Sequence, residues 1–188
     1  MGLFPLGKLN SRSRVPPVTH QINIMALSTG TKAPDFTLVT KGAEGPELFT
    51  LSEHIGSKNI VLLFVPMAFT GGCTTEFCSV TNELDEYAQL DATVIGISGD
   101  NPFAQAEWAE KEGIKLTLLS DYEHKTTADY GVAYESFLPD ANLIMGGVPK
   151  RSAFVIDKAG VIQYSEAQEH PKDMPDFDKI KETLKSLA

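Results

Sequence analysis

The chain has 188 residues, of which 42% are hydrophobic and 22% are charged, a composition typical of one globular domain with a substantial core. Its 25 acidic residues outnumber its 16 Lys and Arg residues, and the formal net charge of -9 argues against a nucleic-acid partner, which would require a basic surface. Its hydrophobic runs are much shorter than the roughly 20 residues needed to cross a bilayer, so no membrane-spanning helix is expected.

The N-terminal part is predicted to be a flexible extension over residues 1–28, followed by one domain over residues 29–188. Residues 1–24 contain three basic residues, two adjacent prolines and no acidic residue. Two alternatives stay open for this segment: Met25 is the true start of the functional chain, or residues 1–24 are an organellar presequence. Without a presequence we expect a reducing cytoplasmic compartment, because two closely spaced cysteines cannot staple a secreted fold.

The domain begins with two weak strand signals, at residues 36–39 and 48–51, around a polar turn, which predicts a β-hairpin. From residue 59 onward, short β-rich runs alternate with helix-like runs, and this alternation indicates βαβ units with a parallel sheet. The expected elements, in chain order, are a strand at 60–65, a helix at 74–90, a strand at 93–98, a helix at 102–112 and a strand at 116–119.

The C-terminal part predicts an antiparallel hairpin and a last helix. Residues 153–156 and 161–164 are strand-like, and Gly160 between them can adopt the positive φ of a tight turn. Four apolar residues then recur at spacings of three and four, which predicts an amphipathic helix that packs on the sheet. They are Phe177, Ile180, Leu184 and Leu187.

The two cysteines of the chain, Cys73 and Cys78, lie where the strand at 60–65 leads into a helix. A free cysteine has a pKa near 8.5, and only its thiolate is nucleophilic. The first turn of a helix offers unpaired N–H groups and the positive end of the helix dipole, but the dipole contributes only about 0.3–1 kcal/mol. The sequence must therefore supply a cation if Cys73 is an activated nucleophile.

The residues before Cys73 each have a plain structural role and a chemical one. Thr70 is either a helix N-cap or a hydroxyl placed against the sulfur or an approaching oxygen. Pro66 is either a strand terminator or the roof of a pocket. Gly71 and Gly72 form a turn that lets the backbone come close to the site.

Together, Pro66, Thr70 and Cys73 resemble the P-x-x-x-T-x-x-C signature of peroxiredoxins, and the resemblance extends from about residue 31 to the C-terminus. It implies an α/β thioredoxin-like fold, with a mixed central sheet flanked by helices. It also implies a thiol peroxidase without a cofactor, which reduces hydrogen peroxide and organic hydroperoxides.

The same resemblance implies roles for individual residues. Cys73 would attack the hydroperoxide and become a sulfenic acid. Arg151 stands where the family has its active-site arginine, whose fixed charge and several N–H donors can hold a thiolate and stabilise the transition state. Glu76 would orient this arginine, although it could also be a favourable acid in the first helical turn.

Cys78 follows Cys73 by five residues, which in a helix places their Cα atoms roughly 8.6 Å apart, beyond the limit of about 7 Å for a disulfide. The C-x4-C spacing resembles peroxiredoxin Q, also called bacterioferritin comigratory protein, and the neighbouring residues also resemble the alkyl hydroperoxide reductase E type. The resemblance implies a Cys73–Cys78 disulfide, formed after local unwinding and recycled by thioredoxin or a similar dithiol. Alternatively, Cys78 is a buried apolar thiol and an external thiol resolves the sulfenic acid.

Two other functions stay open. A thioredoxin-type disulfide reductase would need a C-x-x-C pair, which the chain lacks, and a non-catalytic redox sensor or holdase would need no peroxide turnover. No metal site is expected, since the four histidines are scattered along the chain. They are His20, His54, His124 and His170. A monomer and a homodimer are both compatible with the sequence.

Overall fold

The computed structural model describes residues 25–143 and 145–187. Most of the predicted flexible extension, residues 1–24, lies outside the described residues. In the described part of the predicted extension, the main-chain N–H of Leu27 donates a hydrogen bond to the carbonyl oxygen of Tyr130 at 3.2 Å. The boundary between the extension and the domain stays a prediction.

The described residues form seven strands, which lie in one sheet, and five α-helices. The strands are β1 (Thr37–Lys41), β2 (Pro46–Thr50), β3 (Asn59–Phe64), β4 (Ala92–Ser98), β5 (Thr117–Ser120), β6 (Ser152–Ile156) and β7 (Ile162–Ala167). The helices are α1 (Gly71–Asn82), α2 (Leu84–Gln89), α3 (Pro102–Glu112), α4 (Lys125–Asp129) and α5 (Phe177–Ser186).

The sheet is mixed, with the strand order β2-β1-β5-β4-β3-β6-β7. Strands β3, β4 and β5 are parallel, as the βαβ pattern predicts, whereas β1, β2, β6 and β7 pair with their neighbours antiparallel. The predicted α/β fold with a mixed sheet and flanking helices is confirmed.

Alternate residues of β3 supply the two faces of the core, because successive side chains of a strand point to opposite sides of the sheet. Val61 and Leu63 pack with Phe77 of α1 and with residues of α3 and α5. Ile60 and Leu62 pack on the other side, against residues of the N-terminal hairpin and of the segment after α4. All six residues of β3 are buried, which explains the continuous apolar run from Ile60 to Phe64.

One helix prediction is wrong, and one short helix was not predicted. The helix predicted over residues 74–90 is wrong as a single element, because Glu83 leaves the helical conformation (φ -109°, ψ 6°) between α1 and α2. The buried positions Phe77, Val80 and Tyr87 keep one helical phase across this break, so the sequence period does not reveal it. The short helix α4 was not predicted, since five residues are too few to show a helical period.

The sheet topology brings two distant parts of the sequence together. Strands β3 and β6 pair antiparallel, and Phe64 at the end of β3 lies opposite Ser152 at the start of β6. The residues that follow β3 and the residue that precedes β6 therefore lie at the same edge of the sheet. No helix of the described ranges has both the length and the apolar character needed to cross a membrane.

Gly96 in the middle of β4 provides a test of this packing. A Cβ atom at this position would lie 2.6 Å from a ring atom of Phe77 and 2.8 Å from a methyl carbon of Leu118. Overpacking of this kind costs about 1–3 kcal/mol, so we expect Gly96→Ala to lower the free energy of unfolding by that amount in a urea titration. The control is Thr93→Ala at an exposed position of the same strand. Equal destabilisation by the two changes would contradict the prediction.

Candidate active site

Cys73 lies in the first turn of α1, directly after the loop that leaves β3. Thr70 is the N-cap residue, with an extended backbone, and its carbonyl oxygen accepts the N–H of Thr74 at 2.9 Å. The N–H groups of Gly72 and Cys73 consequently have no acceptor within the helix. The side chain of Cys73 is only 1% exposed, so its sulfur is sheltered at the positive end of the helix.

Arg151 supplies the cation that activation of Cys73 as a nucleophile would require. One guanidinium nitrogen, Nη2, donates to the sulfur of Cys73 at 3.5 Å, and Nη1 donates to the carboxylate of Glu76. Nε and Nη2 also donate to the carbonyl oxygen of Pro171, at 3.3 and 3.0 Å. Because Arg151 is only 2% exposed, these three partners, and not solvent, fix the orientation of its planar head group.

Gly72 leaves room for this cation. A Cβ atom at residue 72 would lie 3.0 Å from Nη2 of Arg151, which is tighter than ordinary van der Waals contact. The second glycine of the turn is therefore explained by the approach of the guanidinium as well as by the backbone. Any larger residue would press on the atom that contacts the sulfur.

Glu76 lies one turn after Cys73 on the same face of α1. Burial raises the pKa of Glu76 to about 7, although the neighbouring Arg151 acts in the opposite direction. One of its carboxylate oxygens, Oε1, is buried and has no hydrogen-bond partner among the described residues. Burial lowers the pKa of Arg151, but the neighbouring Glu76 and Cys73 raise it by more. The net shift is upward, so the guanidinium stays charged.

Thr70 and Pro66 both precede Cys73 in the sequence, and their roles in the chemistry stay predictions. The hydroxyl of Thr70 donates to the carbonyl oxygen of Met67 at 2.8 Å and makes no capping bond to the helix. This bond braces the loop and directs the donor away from the helix N-terminus. Pro66 is buried and follows β3 after one intervening residue, Val65.

Cys78 lies farther along α1 and is half-buried. Its sulfur donates to the carbonyl oxygen of Glu112, at the end of α3, at 3.5 Å. Both cysteines are free thiols, and α1 is unbroken from Gly71 to Asn82. The structure thus represents the reduced state, in which the two sulfurs lie on different faces of one helix.

Two contacts of the site were not predicted from the sequence. Pro171 contributes a main-chain carbonyl, for which a sequence carries no signal. Trp108 of α3 donates from its indole nitrogen to the hydroxyl of Thr74 at 3.0 Å, and its ring stacks on Phe77 with centroids 5.4 Å apart. The presence of one tryptophan in the whole chain was the only hint of this second contact.

The histidines do not assemble into a metal site within the described ranges, where no three His, Cys, Asp or Glu side chains come close enough to hold an ion. His54 instead stacks on Phe49, with ring centroids 4.1 Å apart. His20 lies outside the described residues. The chemistry available at the site is that of a buried sulfur nucleophile beside a fixed cation.

Comparisons with known proteins identify relatives of this chain. Residues 29–165 match the model of the AhpC/TSA family. The chain is 34% identical to alkyl hydroperoxide reductase E of Mycobacterium tuberculosis over 145 residues, which cover 76% of this chain and 87% of that protein. It is 37% identical to chloroplastic peroxiredoxin Q of Triticum aestivum over 138 residues, covering 73% of this chain and 58% of that protein.

A solved structure gives the same result. The crystal structure of peroxidoxin BcpB from Mycobacterium tuberculosis superposes with a TM-score of 0.71 and 31% sequence identity. The superposition covers 85% of this chain and 97% of that chain. The two chains therefore share one fold.

The raised pKa of Glu76 predicts how stability depends on pH. Folding favours its neutral form, so this contribution to stability is complete below the ordinary pKa of 4.5 and is lost as the pH rises through about 7. Over that range, we expect the free energy of unfolding of the wild type to fall relative to that of Glu76→Gln, measured by urea titration. The control is Glu107→Gln at an exposed position of α3. A difference between wild type and Glu76→Gln that does not change with pH would contradict the prediction.

Proposed function

Because this chain belongs to the AhpC/TSA family and is a peroxiredoxin-type peroxidase, we propose that Cys73 is the residue that attacks the hydroperoxide. The proposed substrates are hydrogen peroxide and organic hydroperoxides. The family fixes the class of reaction, and the geometry around Cys73 supports the assignment of the individual roles.

The proposed first step begins with Cys73 as the thiolate. Its sulfur attacks one oxygen of the peroxide, so that an S–O bond forms while the O–O bond breaks. The bonding pair of the O–O bond leaves with the second oxygen, which takes up a proton and departs as water or an alcohol. The sulfur is oxidised to a sulfenic acid and the peroxide is reduced.

Arg151 supports this step in two ways. Before the reaction, its Nη2 donates to the sulfur at 3.5 Å, which places a fixed positive charge beside the proposed nucleophile. As negative charge moves from the sulfur to the peroxide oxygens, the same fixed donors can follow it without reorganisation. Glu76 and the carbonyl of Pro171 hold the guanidinium in place for both tasks.

The observation that carries the proposal is the buried contact between Arg151 and the sulfur of Cys73. A structural cysteine in a core needs no cation. A buried arginine destabilises a protein unless its charge is paired and its N–H donors are hydrogen-bonded. Here the cation reaches the one sulfur that sits at a helix N-terminus. Activation of a nucleophile explains this arrangement, whereas packing alone does not.

We propose further that Cys78 resolves the sulfenic acid. Its thiolate would attack the oxidised sulfur of Cys73, form the S–S bond and release the oxygen as water. Since Cys73 and Cys78 lie on different faces of α1, the first turns of the helix must unwind before the sulfurs can meet. A thioredoxin-like dithiol would then reduce the disulfide by thiol–disulfide exchange and restore the helix.

A second candidate is a peroxidase in which an external thiol resolves the sulfenic acid. The contact of Cys78 with the carbonyl of Glu112 favours it, because this contact anchors the thiol to α3. The indole of Trp108, bonded to Thr74, also holds α1 against α3. Unwinding therefore costs these two contacts as well as helical hydrogen bonds.

The physiological setting stays a prediction. A thioredoxin-like reductant fits the dithiol chemistry, and both a monomer and a homodimer are compatible with the site. A cytoplasmic compartment is proposed, with an organelle as the alternative if residues 1–24 act as a presequence. The peroxiredoxin Q relative of Triticum aestivum is described as chloroplastic.

Exchange of the two cysteines tests the assignment. We expect Cys73→Ser to reduce peroxide consumption to the background rate, because the nucleophile is lost. Cys78→Ser should keep the first turnover at about the wild-type rate but slow the steady state with a dithiol reductant severalfold. Stopped-flow oxidation and coupled steady-state assays measure both effects. Steady-state activity retained by Cys73→Ser would disprove the role of Cys73, and full activity of Cys78→Ser with the dithiol would favour the external-thiol mechanism.

Trp108 reports on the unwinding step. In wild type we expect two fluorescence phases after peroxide is added: a fast phase from sulfenic acid formation, and a slower one as α1 unwinds and the Trp108–Thr74 hydrogen bond breaks. Cys78→Ser should lack the slower phase. Intact-mass analysis should show an internal disulfide in wild type and a sulfenic acid in the variant. A slow phase of equal size in both proteins would contradict this prediction.

A further inference from the structure

Asp100, in the loop after β4, is hydrogen-bonded to the pocket loop, residues 66–70, which lies between β3 and α1. Its carboxylate oxygen Oδ2 accepts the main-chain N–H of Ala68 at 2.8 Å. The same oxygen accepts the hydroxyl of Ser98 at 2.8 Å. Ala68 is buried between Pro66 and Thr70, so this bond ties the middle of the pocket loop to the end of a central strand.

The carboxylate is itself held firmly. The hydroxyl of Ser98, which is only 1% exposed, accepts a hydrogen bond from the side-chain amide of Gln105 at 2.9 Å. The main-chain carbonyl of Asp100 accepts the hydroxyl of Ser120 at 2.7 Å. Strands β4 and β5 and helix α3 therefore all contribute to the position of one acceptor atom.

The pocket loop needs such an anchor because its backbone is strained. Phe69, between Ala68 and Thr70, has a φ of 61°, a left-handed conformation that is unfavourable for a residue with a side chain. Strained conformations persist only where surrounding contacts over-determine them. Here the bond from Ala68 to Asp100 holds one side of Phe69, and the bond from Thr70 to Met67 holds the other.

We propose that Asp100 is a positioning residue for hydroperoxide reduction, which acts through Ala68 to hold the loop between Pro66 and Thr70 in its reactive shape. The inference rests on the proposed function of Cys73. Asp100 acts on the loop and not on the sulfur, which is held separately by Arg151 and the helix N-terminus. Its loss should therefore impair the reaction with peroxide and leave the general reactivity of the thiolate intact.

The two hydrogen bonds end on the same oxygen, so the conservative variant is well defined. Asp100→Asn can place its amide oxygen where Oδ2 lies and keep both bonds, whereas Asp100→Ala loses both. Asp100→Glu keeps the charge but moves the acceptor by one methylene. The matched control is Asp157→Ala: Asp157 Oδ1 also accepts two hydrogen bonds, here from the main-chain N–H groups of Ala159 and Val161 in the turn between β6 and β7.

Two rate constants are measured for each variant by stopped flow: oxidation of Cys73 by hydrogen peroxide, and alkylation of Cys73 by iodoacetamide, a reagent that needs the thiolate but no peroxide pocket. We expect Asp100→Ala and Asp100→Glu to slow oxidation about tenfold to a hundredfold, with alkylation unchanged within about twofold. Asp100→Asn and Asp157→Ala should resemble wild type in both reactions. Thermal unfolding identifies any variant that does not fold, and Asp100→Glu serves as the test if Asp100→Ala is one of them.

The inference is overturned if the folded alanine or glutamate variant oxidises at the wild-type rate, or if oxidation and alkylation fall together. It is also overturned if Asp157→Ala loses as much as Asp100→Ala, which would indicate a general effect of stability. The inference is overturned as well if Asp100→Asn is as slow as Asp100→Ala, because the asparagine keeps the hydrogen bonds and loses only the charge. Wild-type protein whose Cys73 is not oxidised by peroxide would instead disprove the proposed function itself.

Discussion

The arrangement of the site depends on one buried guanidinium. Removing an arginine from water costs several kcal/mol, and the cost is recovered only if its charge is balanced and its N–H groups are bonded. The N–H groups of Arg151 bond to the sulfur of Cys73, the carboxyl group of Glu76 and the carbonyl of Pro171, and the thiolate proposed at Cys73 would balance its charge. Since a buried network of this kind loses more than one bond when a member is removed, the nucleophile, the acid and the loop after β7 constrain one another.

Much of the fold and the site was predictable because local patterns and tertiary structure agree there. The apolar run of β3, the proline and glycine that bound α3, and the glycine turn before Cys73 each carry a local signal. The break at Glu83 left no such signal, since the apolar phase continues across it. Pro171 and Ala68 could not be predicted as partners because they contribute main-chain atoms, which look the same in every residue.

Side-chain roles were predictable only in part, for a related reason. The family resemblance implied that Arg151 is the active-site arginine, and the antiparallel pairing of β6 with β3 is the physical reason that it reaches Cys73. Thr70 was expected to be a helix N-cap or to place its hydroxyl against the sulfur or an approaching oxygen. It is the N-cap residue, and its hydroxyl donates to the carbonyl of Met67. A short polar side chain in a tight loop has main-chain acceptors close by, and these compete with more distant partners.

The register between β3 and β6 has a consequence for how the site is lost on heating. The spacing between nucleophile and cation is set by a ladder of main-chain hydrogen bonds through the middle of the sheet, from Ile60 opposite Ile156 to Phe64 opposite Ser152. Central strands open only with the whole domain. The strand pairing that brings β3 and Arg151 together is therefore lost only when the whole domain melts, whereas the first turns of α1 can open without it.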